Sequence, residues 1–222
     1  MAPTEPGAPH NPQPPQPAPG HYPGPPPLQA IGPDWSLQGR RVRLRPLAES
    51  DLKARLAMTN DPAVQRETLG ITVGERTPYD IRSWFASLSR DPTSRQLAIE
   101  DEAGRYIGDI DLHSYNPAQR EAWVEPLLGD PAVRARGLDE VAAYLRDAVG
   151  TLAGWLFTHL GLQRLMAEVL STNPTGLQAL TGLGFRQAGQ IDHLNGVLSH
   201  ILELTPDRLA TPAEPPGTAA PS

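Results

Sequence analysis

Gly129-Asp130-Pro131-Ala132-Val133-Arg134-Ala135-Arg136-Gly137-Leu138-Asp139 is the stretch whose reading decides this chain. It follows a strand-like run, Ala122 to Leu128 (AWVEPLL), and precedes a helix-like run from Asp139 to His159. In the helical run Val141, Leu145, Ala148, Leu152, Leu156 and Leu160 recur at three- and four-residue spacing, which marks an amphipathic helix. Asp139 and Glu140 open it, and Gly150 and Gly154 weaken it. A glycine-containing turn between a strand and a helix can hold a phosphate on backbone N–H groups and on the positive end of the helix dipole. Arg134 and Arg136 add positive charge there. Such a turn acquires meaning only from its neighbours.

Upstream, Gln96 to Glu100 and Tyr106 to His113 are short apolar runs around Asp101-Glu102-Ala103-Gly104-Arg105, a hairpin pattern with glycine in the turn. Pro126 sits inside the Ala122–Leu128 strand. Proline donates nothing to a ladder, so that strand is predicted to have a gap or a splayed side. Gly39 to Leu47 (GRRVRLRPL) alternates, with Val42 and Leu44 opposed to Arg41, Arg43 and Arg45, as in a half-buried strand. Glu49-Ser50-Asp51 starts a helix carrying Leu52, Leu56 and Ala57, which Asn60-Asp61-Pro62 ends or kinks. Pro78 to Leu88 is a second helix with Ile81, Trp84, Phe85 and Leu88 on one stripe. Downstream, Gly161 stops the long helix and Arg164 to Leu170 is a strand. Asn173-Pro174 opens a short helix to Leu183, and Val197 to Leu204 is the last strand. The order is β-α-α-β-β-β-α-β-α-β, which predicts a mixed sheet and an α/β or α+β class.

Residues 1–33 hold half of the 26 prolines with almost no apolar material between them. Such a segment cannot bury enough surface to offset its ordering entropy. Residues 1–34 therefore read as a disordered Pro-rich leader, 35–209 as one domain and 210–222 as a disordered tail. The absence of cysteine excludes disulfides, thiolate metal sites and a cysteine nucleophile. The N-terminus lacks the basic and apolar regions of a secretory signal, and no apolar run is long enough for a bilayer, so a cytoplasmic location is the default. A net charge of −6 argues against coating nucleic acid. Lys53 is the only lysine among 19 basic residues, a bias that reads as composition and not function.

Several short pieces recur in a telling order over residues 37–205. They are Gly39–Leu47 with Asp51-Leu52, Thr59-Asn60-Asp61-Pro62-Ala63-Val64, Gly104-Arg105-Tyr106-Ile107-Gly108 and Leu127-Leu128-Gly129-Asp130-Pro131. Leu160-Gly161-Leu162, Glu168, Asn173 and Gly184-Phe185 complete the series. In this order they resemble the GNAT (Gcn5-related) family of acetyl-CoA-dependent N-acetyltransferases, in particular the branch that acetylates ribosomal-protein N-termini and other small amines. The resemblance implies a mixed central sheet with splayed strands, flanked by helices. It also implies acetyl transfer from acetyl-CoA to a primary amine, a protein N-terminus or a small molecule.

The family's loop has the pattern Gln/Arg-x-x-Gly-x-Gly/Ala, whose amides hold the cofactor diphosphate. On this chain it would comprise Arg134, Ala135, Arg136, Gly137, Leu138 and Asp139. Asp139 stands where the family has Gly or Ala. A carboxylate about 6 Å from a diphosphate at an effective dielectric near 20 costs about 2–3 kcal/mol per phosphate charge, about two decades in affinity. The run from Gly137 to Gly161 is also about six residues longer than the family leads one to expect, about 9 Å of helix. Either the loop keeps its place and the helix lengthens or bulges at Gly150, or Tyr144-Leu145-Arg146-Asp147-Ala148 replaces the loop. The step from Gly129-Asp130-Pro131 into Arg134 favours the first.

The implied chemistry needs a base, an oxyanion donor and an acid. Glu125, in the cleft strand just before Pro126, is the first candidate base. His113 is the runner-up, on the same face as Asp109 and Asp111. That face is either the polar side of the cleft or the wet side of a hairpin. Glu121 reads as surface. The backbone of Leu127 or Leu128 is the implied oxyanion donor. The family's usual acid, a tyrosine, is here Leu180, and its usual serine is Gly176. Tyr115 or a water is the substitute candidate. Asn173 fits both a contact to the pantetheine arm and a helix N-cap. Trp84, Phe85, Trp155 and Phe157 read as packing. The expected partners are acetyl-CoA and an amine, with a homodimer among the assembly options. Two other readings stand beside the enzyme: a binding module whose degenerate loop has lost acetyl transfer, and an adaptor recruiting partners through its Pro-rich head. The acceptor's identity would be set by Thr68–Thr77 and His193–His200, which carry no recognisable code.

Overall fold

The computed structural model describes residues 27–193 and 196–210; the leader expected before residue 27 and the tail from 211 lie outside them. Eight strands form one sheet: β1 (Leu37–Gln38), β2 (Arg43–Pro46), β3 (Arg95–Glu100), β4 (Tyr106–Asn116), β5 (Glu121–Leu128), β6 (Arg164–Leu170), β7 (Arg186–Asp192) and β8 (Leu198–Leu204). Their spatial order is β1-β2-β3-β4-β5-β6-β8-β7. All pairs are antiparallel except β5 with β6. The helices are α1 (Leu52–Thr59), α2 (Pro62–Leu69), α3 (Pro78–Leu88), α4 (Pro131–Arg134), α5 (Leu138–His159) and α6 (Pro174–Gly182).

The alternation of each strand divides apolar residues between two faces. Leu97, Ile99, Ile110, Leu112 and Val124 join α5 and α6 in the main core. Ala98, on the opposite face, packs with Leu47, Leu52 and Ile81 under α1 and α3, with Trp84, Phe85 and Tyr106 against them. No helix among the described residues is long and apolar enough to cross a membrane.

Four elements were not foreseen. Asn60-Asp61-Pro62 does more than end α1: Asp61 accepts from the Ala63 and Val64 N–H groups at 2.7 and 3.3 Å, and so starts α2. Asp130 caps α4 in the same way, through Val133 N–H at 2.9 Å. The two-residue β1 forms a hairpin with β2. The edge strand β7 is exposed on both faces, so it has no apolar alternation to read. The domain also starts earlier than residue 35. Leu28 is fully buried and Ile31 nearly so, so residues assigned to the leader pack in the main core.

Helix α5 runs unbroken for 22 residues from directly after Gly137, so residues 144–148 lie inside the helix and form no turn. It does not bulge at Gly150, where Leu183 packs so closely that a β-carbon would meet it at 2.9 Å. The middle of α5 holds the β1–β2 turn. Buried Asp147 accepts the backbone N–H groups of Arg40, Arg41 and Val42 at 3.2, 2.7 and 3.0 Å.

Strand β5 pairs with β6 only at Glu121–Arg164, Ala122–Leu165 and Trp123–Met166. Beyond Trp123 the two diverge, while β5 keeps its ladder to β4 through Ile110–Pro126 and on to Gly108–Leu128. The proline therefore sits where the β6 side of the strand is open, the splay that its missing N–H predicts.

Candidate active site

The divergence of β5 and β6 opens a cavity of about 570 Å³. Its walls come from both faces of the sheet. Arg55, Trp84, Gln96, Asp109 and Asp111 lie on the α1/α3 side, and Leu145, Asn173, Gly176, Ala179 and Leu180 on the α5/α6 side. Glu125, Pro126 and Leu127 form one lip, and Glu168, Val169 and Leu170 the other. Helix α2 crosses the opening and adds Val64, Gln65, Glu67 and Thr68.

At the turn before α5, the N–H groups of Ala135, Arg136 and Gly137 bond back to the carbonyls of Pro131, Val133 and Arg134. They are spent. Gly137 takes φ +105°, open to glycine alone at little cost, and caps α5 without a side chain. The amides of Leu138, Asp139 and Glu140, in the first turn of α5, have no partner among the described residues. The unpaired amides thus begin at Leu138, the fifth of the six residues expected to form the loop, and extend one residue past Asp139 to Glu140.

Two arginines near this turn are already engaged by carboxylates. Arg134 forks onto Glu67, and Arg41 onto Glu140 at 2.6 and 3.1 Å. Arg136 is exposed and reaches the Tyr144 hydroxyl at 3.5 Å. Asp139 is exposed and accepts from Gln178 at 3.3 Å. Asn173 caps α6 through Gly176 N–H at 2.8 Å, as expected, and also lines the cavity.

On the α1/α3 face the register aligns Gln96, Asp111 and Glu125 across β3, β4 and β5. His113 Nε2 lies 3.5 Å from Glu125, and its ring stacks on Trp123. That pairing raises the His113 pKa above its ordinary value and lowers that of Glu125. Burial, with Glu125 close by, raises Asp111. Asp109 is 1% exposed and takes hydrogen bonds from Gln96 at 2.8 Å and Tyr106 at 2.5 Å, with Arg55 paired at 2.6 Å. Asp109 and Asp111 therefore lie on the cleft side, not on the wet side of a hairpin, while His113 is outside the cavity lining and touches it through Glu125.

Tyr115 is not brought to Glu125 and His113. Strict alternation would put it on the His113 face. A register shift between His113 and Asn116, with Ser114 at φ +52°, turns it instead into the main core, where it is 7% exposed. Leu128 is likewise buried, and of the two oxyanion candidates only Leu127 lines the main cavity.

Sequence reading missed two contributors and one pairing. Arg55, an ordinary-looking helix residue, lies over Trp84 at 5.2 Å and neutralises Asp109. Trp84, read as packing, also lines the cavity. On the far lip His193 Nε2 meets Glu168 at 3.1 Å and Ser199 at 2.6 Å. Glu168 was visible in its strand, but nothing in the sequence paired it with His193.

The sequence profile of the acetyltransferase (GNAT) domain matches residues 41–186. No curated protein matches the chain by sequence. Among solved structures, the spermidine N-acetyltransferase of Vibrio cholerae, with CoA and spermine, superposes with a TM-score of 0.63 at 18% identity over 76% of this chain and 97% of that one. Mycobacterium smegmatis RimJ, with CoA-disulfide, gives 0.65 at 20% identity over 82% and 91%. A GCN5-related N-acetyltransferase from Brucella melitensis gives 0.63 at 18% identity over 78% and 80%. The splayed sheet and the open first turn of α5 fit that assignment: the chain belongs to the acetyltransferase (GNAT) family, whose members move an acetyl group from acetyl-CoA to an amine.

Proposed function

We propose that this enzyme acetylates a cationic primary amine, which enters on the α1/α3 face and gives its proton to Glu125. The observation that carries this is the charge of the cavity: Glu67, Asp109, Asp111, Glu125 and Glu168 line it against Arg55 and Arg76 alone among lysines and arginines. Such a site draws in an ammonium. Glu125 stands on the lip where β5 parts from β6, and its contact with His113 keeps it ionised at neutral pH.

The ammonium loses one proton to Glu125, which exposes the nitrogen lone pair. A C–N bond forms at the acetyl carbon and the C–S bond breaks. The nitrogen's second proton leaves with the thiolate, giving free thiol and amide. The backbone at Leu127, beside Glu125, is the proposed partner of the carbonyl oxygen as charge grows there. The free amides of Leu138, Asp139 and Glu140 are the proposed seat of the diphosphate, with Arg136 alongside, and Asn173 is the proposed contact for the pantetheine arm. We place the reaction in the cytoplasm, because a charged thioester does not cross a bilayer unaided.

Thiol release from acetyl-CoA with primary amines tests the reading. Glu125→Gln is expected to lower kcat about 100-fold at neutral pH, with recovery at alkaline pH as the amine deprotonates itself. An unchanged pH–rate profile in that variant rejects Glu125 as the base.

A further inference from the structure

We propose that the acceptor is a short unbranched diamine whose second, non-reacting ammonium docks between Asp111 and Gln96. Granted that Glu125 receives the proton of the reacting amine, the row Gln96–Asp111–Glu125 fixes where that second charge falls. Neighbouring strands lie about 4.8 Å apart, so Gln96 stands about 10 Å from Glu125 along the sheet. The thioester reaches the sheet only at the opening beyond β5. The reacting nitrogen therefore lies beside Glu125, and the Gln96 end is beyond its reach.

That inner end is nevertheless short of donors. Asp111 has no hydrogen-bond donor among the described residues, and it faces another carboxylate, Glu125, directly across the ladder. Like charges in that position repel. Gln96 lines the cavity and is 9% exposed. Its amide nitrogen is used on Asp109 at 2.8 Å, while its buried Oε1 has no donor. A buried acceptor without a donor is a standing cost, removed when a ligand supplies the N–H.

The nearby cations His113 and Arg55 act on Asp111 through space, and neither donates a hydrogen bond to it. Arg55 is paired with Asp109 at 2.6 Å and lies over Trp84. His113 leans on Glu125. The missing partner must be positive, compact and rich in donors. A terminal ammonium, with three N–H groups, meets those demands. From Glu125 to the midpoint between Asp111 and Gln96 is about one and a half strand spacings, about 7 Å, which a chain of about four or five carbons spans. A monoamine leaves Asp111 without a donor.

The test compares 1,4-diaminobutane, 1,5-diaminopentane and butylamine as acceptors for the full-length chain, by thiol release from acetyl-CoA. We expect kcat/KM for a diamine to exceed that for butylamine about 100-fold, since a site built to bond a substrate group rejects the analogue lacking it. In Asp111→Asn the ratio should fall below about threefold. Because both amines are measured on one preparation, the ratio is independent of how much of the variant is folded. Equal turnover of butylamine, or a ratio that survives Asp111→Asn, overturns the inference and leaves Glu125 as base untouched. Turnover of a peptide N-terminus in preference to both diamines overturns it as well. An unchanged pH–rate profile in Glu125→Gln strikes only the base assignment.

Discussion

Arg134 and Glu67 form a two-point fork, Nη1 to Oε2 at 2.9 Å and Nη2 to Oε1 at 2.7 Å, which ties the turn before α5 to helix α2. Both side chains are largely buried, and the fork raises the pKa of the guanidinium. An incoming diphosphate thus meets an arginine whose charge is already neutralised. Glu67→Gln removes a carboxylate from the mouth of the cavity and releases Arg134. The expected result is a fall of about tenfold in the KM for acetyl-CoA, equivalent to about 1.4 kcal/mol. A rise in KM would show that the fork serves to position α2.

Asp139 carries a smaller penalty than its place in the loop pattern suggests. The side chain is exposed, and its one hydrogen bond is to Gln178. Water and salt screen an exposed charge, so the 2–3 kcal/mol that a dielectric near 20 gives shrinks to about 1 kcal/mol. An acid in the first turn also favours the helix by about 0.3–1 kcal/mol. Asp139→Asn is therefore expected to tighten CoA binding about fivefold at low ionic strength in calorimetry. The gain should vanish near molar salt, where the Debye length is about 3 Å. A gain that persists at high salt would point to a steric cause.

What could be read in advance follows from which forces leave a trace in a single sequence. Periodicity placed α3 and α5 because each packs a stripe of apolar residues, while β6 showed as a short apolar run because Leu165, Met166 and Ala167 are buried in succession on both faces. Pro126 announced the splay because a missing N–H is visible without any partner. Strand β7 was invisible because it is held by β8 and not by apolar contacts of its own. Asn173 and Gly137 could be found because capping and positive φ restrict residue type locally. The Gln96–Asp111–Glu125 row depends on the register of three strands, and the His193–Glu168 contact on a loop meeting a strand 25 residues away. Tyr115 was named with no positional signal behind it, and the register shift beside Ser114, which takes it off the His113 face, leaves no trace in residue type.

The His113–Glu125 pair gives stability a defined pH window. Glu125 raises the His113 pKa above its ordinary 6.5, with Asp111 and Asp91 adding to the effect. The contribution of His113 is therefore complete below about pH 6.5 and is lost as pH rises through the folded value. His113 in turn lowers Glu125 below its ordinary 4.5, so that contribution is present above about pH 4.5 and is lost as pH falls through the lowered value. Glu125 is 57% exposed and His113 25%, so solvent keeps the sum under about 1 kcal/mol. Thermal melts of the wild type and His113→Gln should differ most near pH 5.5 and converge by about pH 9. A constant difference across that range would assign the effect to stacking on Trp123.

Asp147 links the length of α5 to the placement of the site. Its carboxylate is 7% exposed and takes three backbone N–H groups from the turn that leads into β2. The same turn carries Arg41, which engages Glu140 in the first turn of α5 and lies 4.1 Å over the Tyr144 ring. Asp147→Ala leaves those amides without an acceptor, at about 1–3 kcal/mol for each that stays buried. Arg40 and Arg41 can reach water more readily than buried Val42. The expected loss is about 3–4 kcal/mol in urea unfolding, with Asp147→Asn recovering about half through its single acceptor oxygen. Where enough protein stays folded, the KM for acetyl-CoA should rise, because the Arg41–Glu140 contact that shapes the open end of α5 loses its support. A loss under about 1 kcal/mol would mean that the β1–β2 turn holds its conformation without the helix.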